Sequence, residues 1–520
     1  MFLKDLFQKG IVMSTSKKSY WQTITFIILA VSAFARCQGQ TSIVDVILKN
    51  KSSFFYLDAQ NYPAQRNALP VGVFDSGTGG LTVLDAIVNL DEYDNKTCGL
   101  KKGGDGLRDL RKEYFIYLGD QANMPYSNYT RENKTDVLVE HIIKDVQFLL
   151  GNKYYLSAND AKCQTGKQPV KAIVIGCNTA TAYGKVKIEQ LLKSAGLYIK
   201  VIGVIDAGSR AALKVFGKDE EGSIAVFASA GTVASKGYVK TINALRDKMG
   251  YTGNITIVQQ AGIALSSAID GIAGYIAPQA TSPQKNYVGP SIDNKDPRAR
   301  IDMSILKRYG FEWEDNKMLF EGTAENPKNL QLNSVSNNVY FHIVSLMETI
   351  RKAPGAKKLK AIILGCTHYP FVAETIENKL KELYNYRENG QYLYRSFMAE
   401  HIELIDPAPN TARELYQHLA ASKLFNDENL YKSEFYISVP NKLNGDIELD
   451  SAGNFTYKYK YGRNAGAIQE YVKRVPFDKK NINAPTLKRL AEKTPMVFEL
   501  MRIFNCDNPK TAALKKDDKI

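Results

Sequence analysis

Ala172-Ile173-Val174-Ile175-Gly176-Cys177 recurs in this chain as Ala361-Ile362-Ile363-Leu364-Gly365-Cys366. Each copy is a short apolar run closed by Gly-Cys. Residues able to hydrogen-bond follow, Asn178-Thr179 in one copy and Thr367-His368 in the other. A continuous apolar run of this length ending in glycine reads as a strand buried on both faces of a parallel sheet. A weaker echo precedes each copy: Val73-Phe74-Asp75-Ser76 and Val226-Phe227-Ala228-Ser229 also close apolar runs. The order of a strand followed by a Gly-Cys strand therefore appears twice, and such self-similarity points to a duplicated architecture.

Further strand-like runs lie at Tyr114–Leu118, Val201–Ile205, Ile255–Val258 and Ile402–Ile405, separated by helix-like stretches such as Leu81–Leu90, Val137–Leu150 and Val372–Leu383. Alternation of this kind predicts an α/β fold. The expected arrangement is two pseudo-symmetric parallel-sheet α/β domains facing a shared cleft, because ligands of open α/β sheets sit beyond the strand C-termini. The reading divides the chain into a signal-like segment at 1–35, a linker at 36–69 and a first domain at 70–205 with a late return of 400–423. A second domain spans 206–399, with an insertion at about 275–340, and an appendage spans 424–520. Residues 91–112 read as a further insertion. In the appendage, Asn444-Gly445 and Gly453-Asn454 separate the alternating runs Phe435–Val439 and Phe455–Tyr461, a hairpin signature.

The chain has 520 residues and a formal charge of +14, but its basic residues are dispersed among plentiful acids and no nucleic-acid module is present. Nucleic acid is not an expected partner. Near the start, Lys17 and Lys18 precede the apolar run Phe26–Ala35, which ends in Ala33-Phe34-Ala35. The run is shorter than the ~20 residues a membrane span needs, and the pattern is that of a secretory signal. Met13 then serves as an alternative start. The expectation is export, to the periplasm or to a lipid anchor if Cys37 is acylated, although Arg36 fits a lipoprotein signal poorly; a cytoplasmic location is the alternative.

Cys37, Cys98, Cys163, Cys177, Cys366 and Cys506 show no CxxC or Cys/His spacing suited to a metal. No metal or cofactor is expected. Cys177 and Cys366 have a different promise. A thiol at the tip of a parallel strand, just before a helix, lies among backbone N–H groups that favour its anion. Inverting Cα of an amino acid without a cofactor needs a base on one face and an acid on the other, and the two must exchange roles. Two thiols on equivalent points of a repeat meet that demand. Asp75-Ser76-Gly77-Thr78-Gly79-Gly80 matches neither phosphate-loop pattern; as a tight turn it would bring Asp75 beside Cys177. His368, two residues after Cys366, would serve the other thiol.

Val73–Gly80, Leu118-Gly119-Asp120 with Met124-Pro125-Tyr126, Gly176–Thr181, Gly231-Thr232-Val233-Ala234-Ser235 with Tyr238, and Gly365–Pro370 resemble the successive signature blocks of the glutamate racemases, in the family's order and over about residues 70–415. The resemblance implies a cofactor-independent racemase in which Cys177 and Cys366 are the acid/base pair, with Asp75 and His368 beside them. It places Asp75, Ser76, Pro125, Tyr126, Ser127, Asn178, Thr179, Thr367 and His368 against the substrate. Where the family has a glutamate assisting the second thiol, Asp270 falls, a shorter acid. Ser127 stands where the family usually has glycine, and Gly262 replaces a usual cysteine. The implied partner is a small dicarboxylic amino acid, glutamate or aspartate, and the implied role is supply of D-glutamate for peptidoglycan, with homodimer assembly left open. Another isomerase or decarboxylase of small dicarboxylates, and a binding protein that keeps the pocket without chemistry, are the rival readings. If the protein is exported, Cys98 and Cys163 are expected to bridge, sparing the two reactive thiols.

Overall fold

The computed structural model describes residues 42–520; the signal-like segment, Met13 and Cys37 lie outside the described residues. The strands are β1 Val71–Asp75, β2 Phe115–Gly119, β3 Ala172–Ile175, β4 Lys200–Gly203, β5 Gly222–Ala228, β6 Ile255–Ala261, β7 Met318–Gly322, β8 Pro327–Leu332, β9 Leu359–Gly365, the short pair β10 Arg387–Glu388 and β11 Gln391–Tyr392, then β12 Met398–Ile405, β13 Glu434–Pro440 and β14 Val472–Pro476. They build two main sheets, ordered β14-β13-β2-β1-β3-β4 and β12-β9-β5-β6. All pairings in both are parallel except that of β13 with β14. The apolar runs that read as fully buried strands are so: every residue of β1, β2, β3 and β5 is buried. The two Gly-Cys segments follow β3 and β9, which sit next to β1 and β5 respectively, so each half of the repeat occupies the same place in its own sheet.

Residues 424–520 are not an appendage. β13 pairs in parallel with β2 and carries β14 on its outer edge. Phe435, Tyr436, Phe477 and Phe504 are buried in the same core as β1 and β3, and burial of one such ring contributes about 1.5–3 kcal/mol. The expected hairpin between 435–439 and 455–461 does not form. Phe435–Val439 is strand, but its partner is β14, and Tyr457–Gly462 is a helix capped by the Thr456 side chain. The turn signal at Gly453-Asn454 does reverse the chain, into the single bridge Leu449–Phe455. The C-terminal segment also explains why the helix Thr135–Leu150 buries Glu140, Lys144 and Asp145 along with its apolar face. Lys144 pairs with Glu140 at 2.7 Å and donates to Tyr471 at 2.9 Å, while Arg474 pairs with Asp145 at 3.1 Å. Buried charges persist only when partnered in this way.

The expected late return of 400–423 to the first domain is split. β12 belongs to the second sheet. The helix Pro407–Ala421 that follows reaches the first half, with Arg413 on Glu92 at 2.5 Å and Tyr416 stacked on Tyr93 at 3.9 Å. Within 275–340, β7 and β8 form an antiparallel hairpin, and from Val335 the chain is already in the long helix Val335–Lys352 that covers the second sheet. Val204 and Ile205, read as strand, begin a helix instead. The 36–69 linker holds a helix, Ile43–Lys49, whose Ile47 is fully buried. Residues 91–112 form a loop pinned by Asp109, whose carboxylate accepts from the Glu92 and Tyr93 amides. The expected Cys98–Cys163 bridge is absent; both thiols are free. Cys98 takes a left-handed backbone in that loop, near Tyr416, whereas Cys163 lies beside Tyr155 in a separate turn.

Candidate active site

The C-terminal ends of the two sheets carry the residues singled out by the repeat. Cys177 caps the helix Asn178–Ser194, its sulfur accepting from the Ala180 amide at 3.4 Å. Its thiol donates to Ser76 Oγ at 3.8 Å. Gly365 cannot be replaced by a larger residue without conflict, because a Cβ there would lie 2.6 Å from that of Ala228 on the neighbouring strand.

Asp75 ends β1 and is fully buried. Its Oδ2 accepts from the amides of Gly80 at 2.9 Å and Gly77 at 3.3 Å, and Tyr117 clamps the same turn by donating to the Gly77 carbonyl at 2.6 Å. Oδ1 of Asp75 is buried without a hydrogen-bond partner. Burial pushes this carboxyl above the ordinary carboxylate range, opposed by the nearby charge of His368. The Cys177 thiol is likewise pushed up, first by burial and then by the negative charge of Asp75. Burial thus favours the neutral form of each group, and charge on Asp75 further disfavours a thiolate at Cys177.

The second sulfur sits in a different environment. Cys366 Sγ is 3.6 Å from His368 Nδ1, and the opposite ring nitrogen, Nε2, is 3.0 Å from Asp270 Oδ2. Burial works to lower the His368 value, but Asp270 outweighs it and holds the imidazole well above the ordinary histidine range. Asp270 is correspondingly held low: its burial is overcome by His368 and Arg489. The imidazole is thus a cation at neutral pH, with one N–H on Asp270 and the other directed at the sulfur.

The two halves touch. A Cβ on Gly79 would fall 2.4 Å from Thr367 Oγ1 and 2.7 Å from His368 Cε1, so the glycine lets the first loop lie on the second. Gly79→Ala is therefore expected to cost about 1–3 kcal/mol in denaturant melts, as overpacking does. It should lower kcat by up to about 10²-fold by shifting His368. An unchanged melt and rate would show that this approach is not constrained.

Around the thiols, Tyr238 donates to Asn178 Oδ1 at 2.6 Å, and Thr179 Oγ1 lies 3.0 Å from Ser229 Oγ and 3.1 Å from Thr232 Oγ1. Asn178, Thr179, Thr367 and His368 are all buried. Pro125 and Ser127 line a cavity of about 760 Å³ together with Ser229 and Gly262. Tyr126 departs from the expectation that it faces a ligand. Its hydroxyl is turned inward, 2.6 Å from Asp120 Oδ2 and 2.8 Å from Asp145 Oδ2. Asp145 is pushed well above the carboxylate range by burial and by Asp120. Both carboxylates are within reach of the one phenol hydroxyl, which donates towards them, and Arg474 also pairs with Asp145. Among the described residues no His, Cys, Asp and Glu gather in threes as a metal site would need, and no helix is long and apolar enough to cross a membrane.

One participant left no trace in the sequence reading. Arg489, from the C-terminal helix Ala484–Lys493, pairs with Asp270 Oδ1 at 2.6 Å. An isolated arginine far along the chain carries no local motif that could have announced it.

No family model matches the chain. The glutamate racemase of Lactobacillus johnsonii is 32% identical over 173 residues, which are 33% of this chain and 47% of that relative. The chain thus spans about half the length of this relative. The glutamate racemase of Oceanobacillus iheyensis is 23% identical over 380 residues, 73% of this chain and 88% of its own. A crystal structure of a glutamate racemase isoform from Bacillus anthracis aligns over 71% of this chain and 88% of its own, at 21% identity and a TM-score of 0.40. By these sequence matches the chain is similar to the glutamate racemases.

Proposed function

We propose that the protein is a cofactor-independent racemase that interconverts L- and D-glutamate. The observation that carries this reading is the pair of sulfurs on equivalent strand ends of two abutting sheets, each with its own proton-handling partner: Asp75 for Cys177, and His368 with Asp270 for Cys366. The two partners are unlike, which suits a reaction begun from one defined protonation state. Cys177 starts as a thiol, an acid ready to deliver its proton. Cys366, beside an imidazolium, is the sulfur placed to take the Cα proton. The carbanion formed at Cα is reprotonated on its opposite face by Cys177, and the roles reverse for the other enantiomer. The backbone amides and hydroxyls around Ser76, Asn178, Thr179 and Thr367 would hold the amino acid's charged groups. Glutamate is preferred over aspartate because the curated relatives it matches are glutamate racemases. The product would supply peptidoglycan synthesis, and we propose that the apolar run Phe26–Ala35 directs export. An intact, cytoplasmic protein in cell fractions would refute that last element.

The activity is tested by incubating the purified protein with L-glutamate and with L-aspartate in D2O, then scoring D-enantiomer and Cα deuterium. D-glutamate carrying deuterium is the expected result. A product of different constitution would favour a dicarboxylate isomerase or decarboxylase, and binding without exchange or product would favour a binding protein.

A further inference from the structure

The C-terminal segment meets the acid/base machinery through one side chain. Arg489 stands on the helix Ala484–Lys493, whose first turn holds Pro485 and is capped by Asn483 accepting from the Thr486 amide. Its Nη2 lies 2.6 Å from Asp270 Oδ1, and its Nη1 donates to the Ile269 carbonyl at 2.8 Å. The guanidinium also lies over the Phe371 ring at 4.9 Å, three residues beyond His368. The side chain is only 15% exposed. Asp270 therefore has one oxygen for Arg489 and the other for His368, and His368 has one nitrogen for Asp270 and the other for Cys366. A small cavity beside this chain of contacts is lined by Thr78, Gln121 and Asp270 together with Asn483 and Thr486, so the segment closes over the loops of both halves.

We infer that Arg489 is a positioning residue for the Cys366 half of the reaction, which makes the C-terminal segment part of the catalytic unit. The inference rests on the racemase reading above. Two physical effects support it. A carboxylate held at one oxygen only can rotate about its Cβ–Cγ bond, and the fork of Arg489 removes that freedom. A buried carboxylate facing an imidazolium can also neutralise the pair by taking its proton. A guanidinium, which does not deprotonate in proteins, keeps Asp270 anionic and so keeps the proton on His368. The bland alternative is a salt bridge that merely fastens the segment to the body.

The experiment compares full-length wild type with Arg489→Gln, Arg489→Lys and, as a control on the next helix, Arg502→Gln, whose exposed side chain pairs with Glu499. Racemisation is followed in both directions across pH, with Cα exchange from each enantiomer, and the His368 ring is titrated by NMR. Arg489→Gln is expected to lose up to about 10²-fold in kcat, the scale of a misplaced group, with little change in KM. Its acidic limb should move to higher pH, because Asp270 without the guanidinium takes up a proton sooner. Exchange from the enantiomer that gives its proton to Cys366 should fall more than exchange from the other. Arg489→Lys keeps the charge but not the fork, and should return the acidic limb part of the way. Should Arg489→Gln not fold, the Lys variant's pH limb and His368 titration decide alone. A wild type that racemises, with both variants matching it in pH profile, exchange asymmetry and His368 titration, overturns this inference and leaves the racemase reading intact. A wild type that does not racemise overturns that reading, and an unmoved His368 titration in Arg489→Gln then overturns the positioning role as well.

Discussion

Replacing either Cys177 or Cys366 by serine is expected to abolish racemisation of glutamate in both directions, a loss at or beyond the upper end of the ~10²–10⁴-fold that removal of one acid/base group usually costs. A serine hydroxyl is close to a thiol in shape and cannot reach the anion under the same conditions, so the substitution removes the proton carrier while disturbing packing little. The helix cap offers a control: in Cys177→Ser the new hydroxyl could still accept from the Ala180 amide that Cys177 Sγ now engages at 3.4 Å. Each variant should retain a weak exchange of the Cα proton from one enantiomer, served by the remaining sulfur, and the two variants should retain it for opposite enantiomers. The measurement is deuterium incorporation with chiral separation. Near wild-type turnover in either variant would break the two-thiol assignment, and exchange retained for the same enantiomer in both would place the sulfurs on one face.

The duplication is what makes this site legible in the sequence. A buried parallel strand writes itself as a continuous apolar run, since both faces are covered, and Gly-Cys at the end of two such runs marks equivalent strand tips without any long-range information. Asp75 and His368 are legible for the same reason, one closing the strand that precedes the first tip and the other lying two residues beyond the second. Asp270 comes only through the family's pattern; its geometry, one oxygen on His368, depends on its place at the end of the five-residue helix Leu265–Ile269, which is too short to carry a distinctive periodicity. The C-terminal segment is misread because its partners are distant. β13 gains its place by pairing with β2, and β14 by pairing with β13 across a long connection, so neither pairing has a local signature. The run Phe455–Tyr461 alternates like a strand, yet Thr456 caps it and Tyr457 packs on Tyr461 at helical spacing, 4.6 Å between ring centres. Tyr126 shows the limit of carrying a role by motif: the residue is where the pattern puts it, but its hydroxyl belongs to a buried pair of carboxylates.

Asp75→Asn should separate function from stability. The carboxyl sits fully buried with Oδ1 unpartnered, and burial raises its affinity for a proton. For an acid whose folded value lies above its unfolded value, ionisation works against folding: stability is present while the group is protonated and is lost as pH rises from the unfolded value through the folded one. Asparagine keeps the shape, and its carbonyl oxygen can accept from the Gly77 and Gly80 amides as Oδ2 does now. Its amide would face the site of Oδ1 without a partner, costing about 1–3 kcal/mol, whereas a buried ionised carboxylate costs several kcal/mol. The variant's melting temperature should therefore exceed that of wild type on the alkaline side, where the wild-type carboxyl is ionised, and the gap should narrow or reverse as pH falls and that carboxyl takes up its proton. Turnover should move the other way. Without a group to relieve Cys177 of its proton, kcat should fall by the ~10²–10⁴-fold of a lost acid/base partner, most in the direction that needs Cys177 as base. His368→Asn should cause a loss of similar size, most in the direction that needs Cys366. A matching loss in both directions, confined to KM, would reduce Asp75 to a substrate contact, and a variant less stable than wild type at high pH would mean that hydrogen bonding, rather than buried charge, dominates at this position.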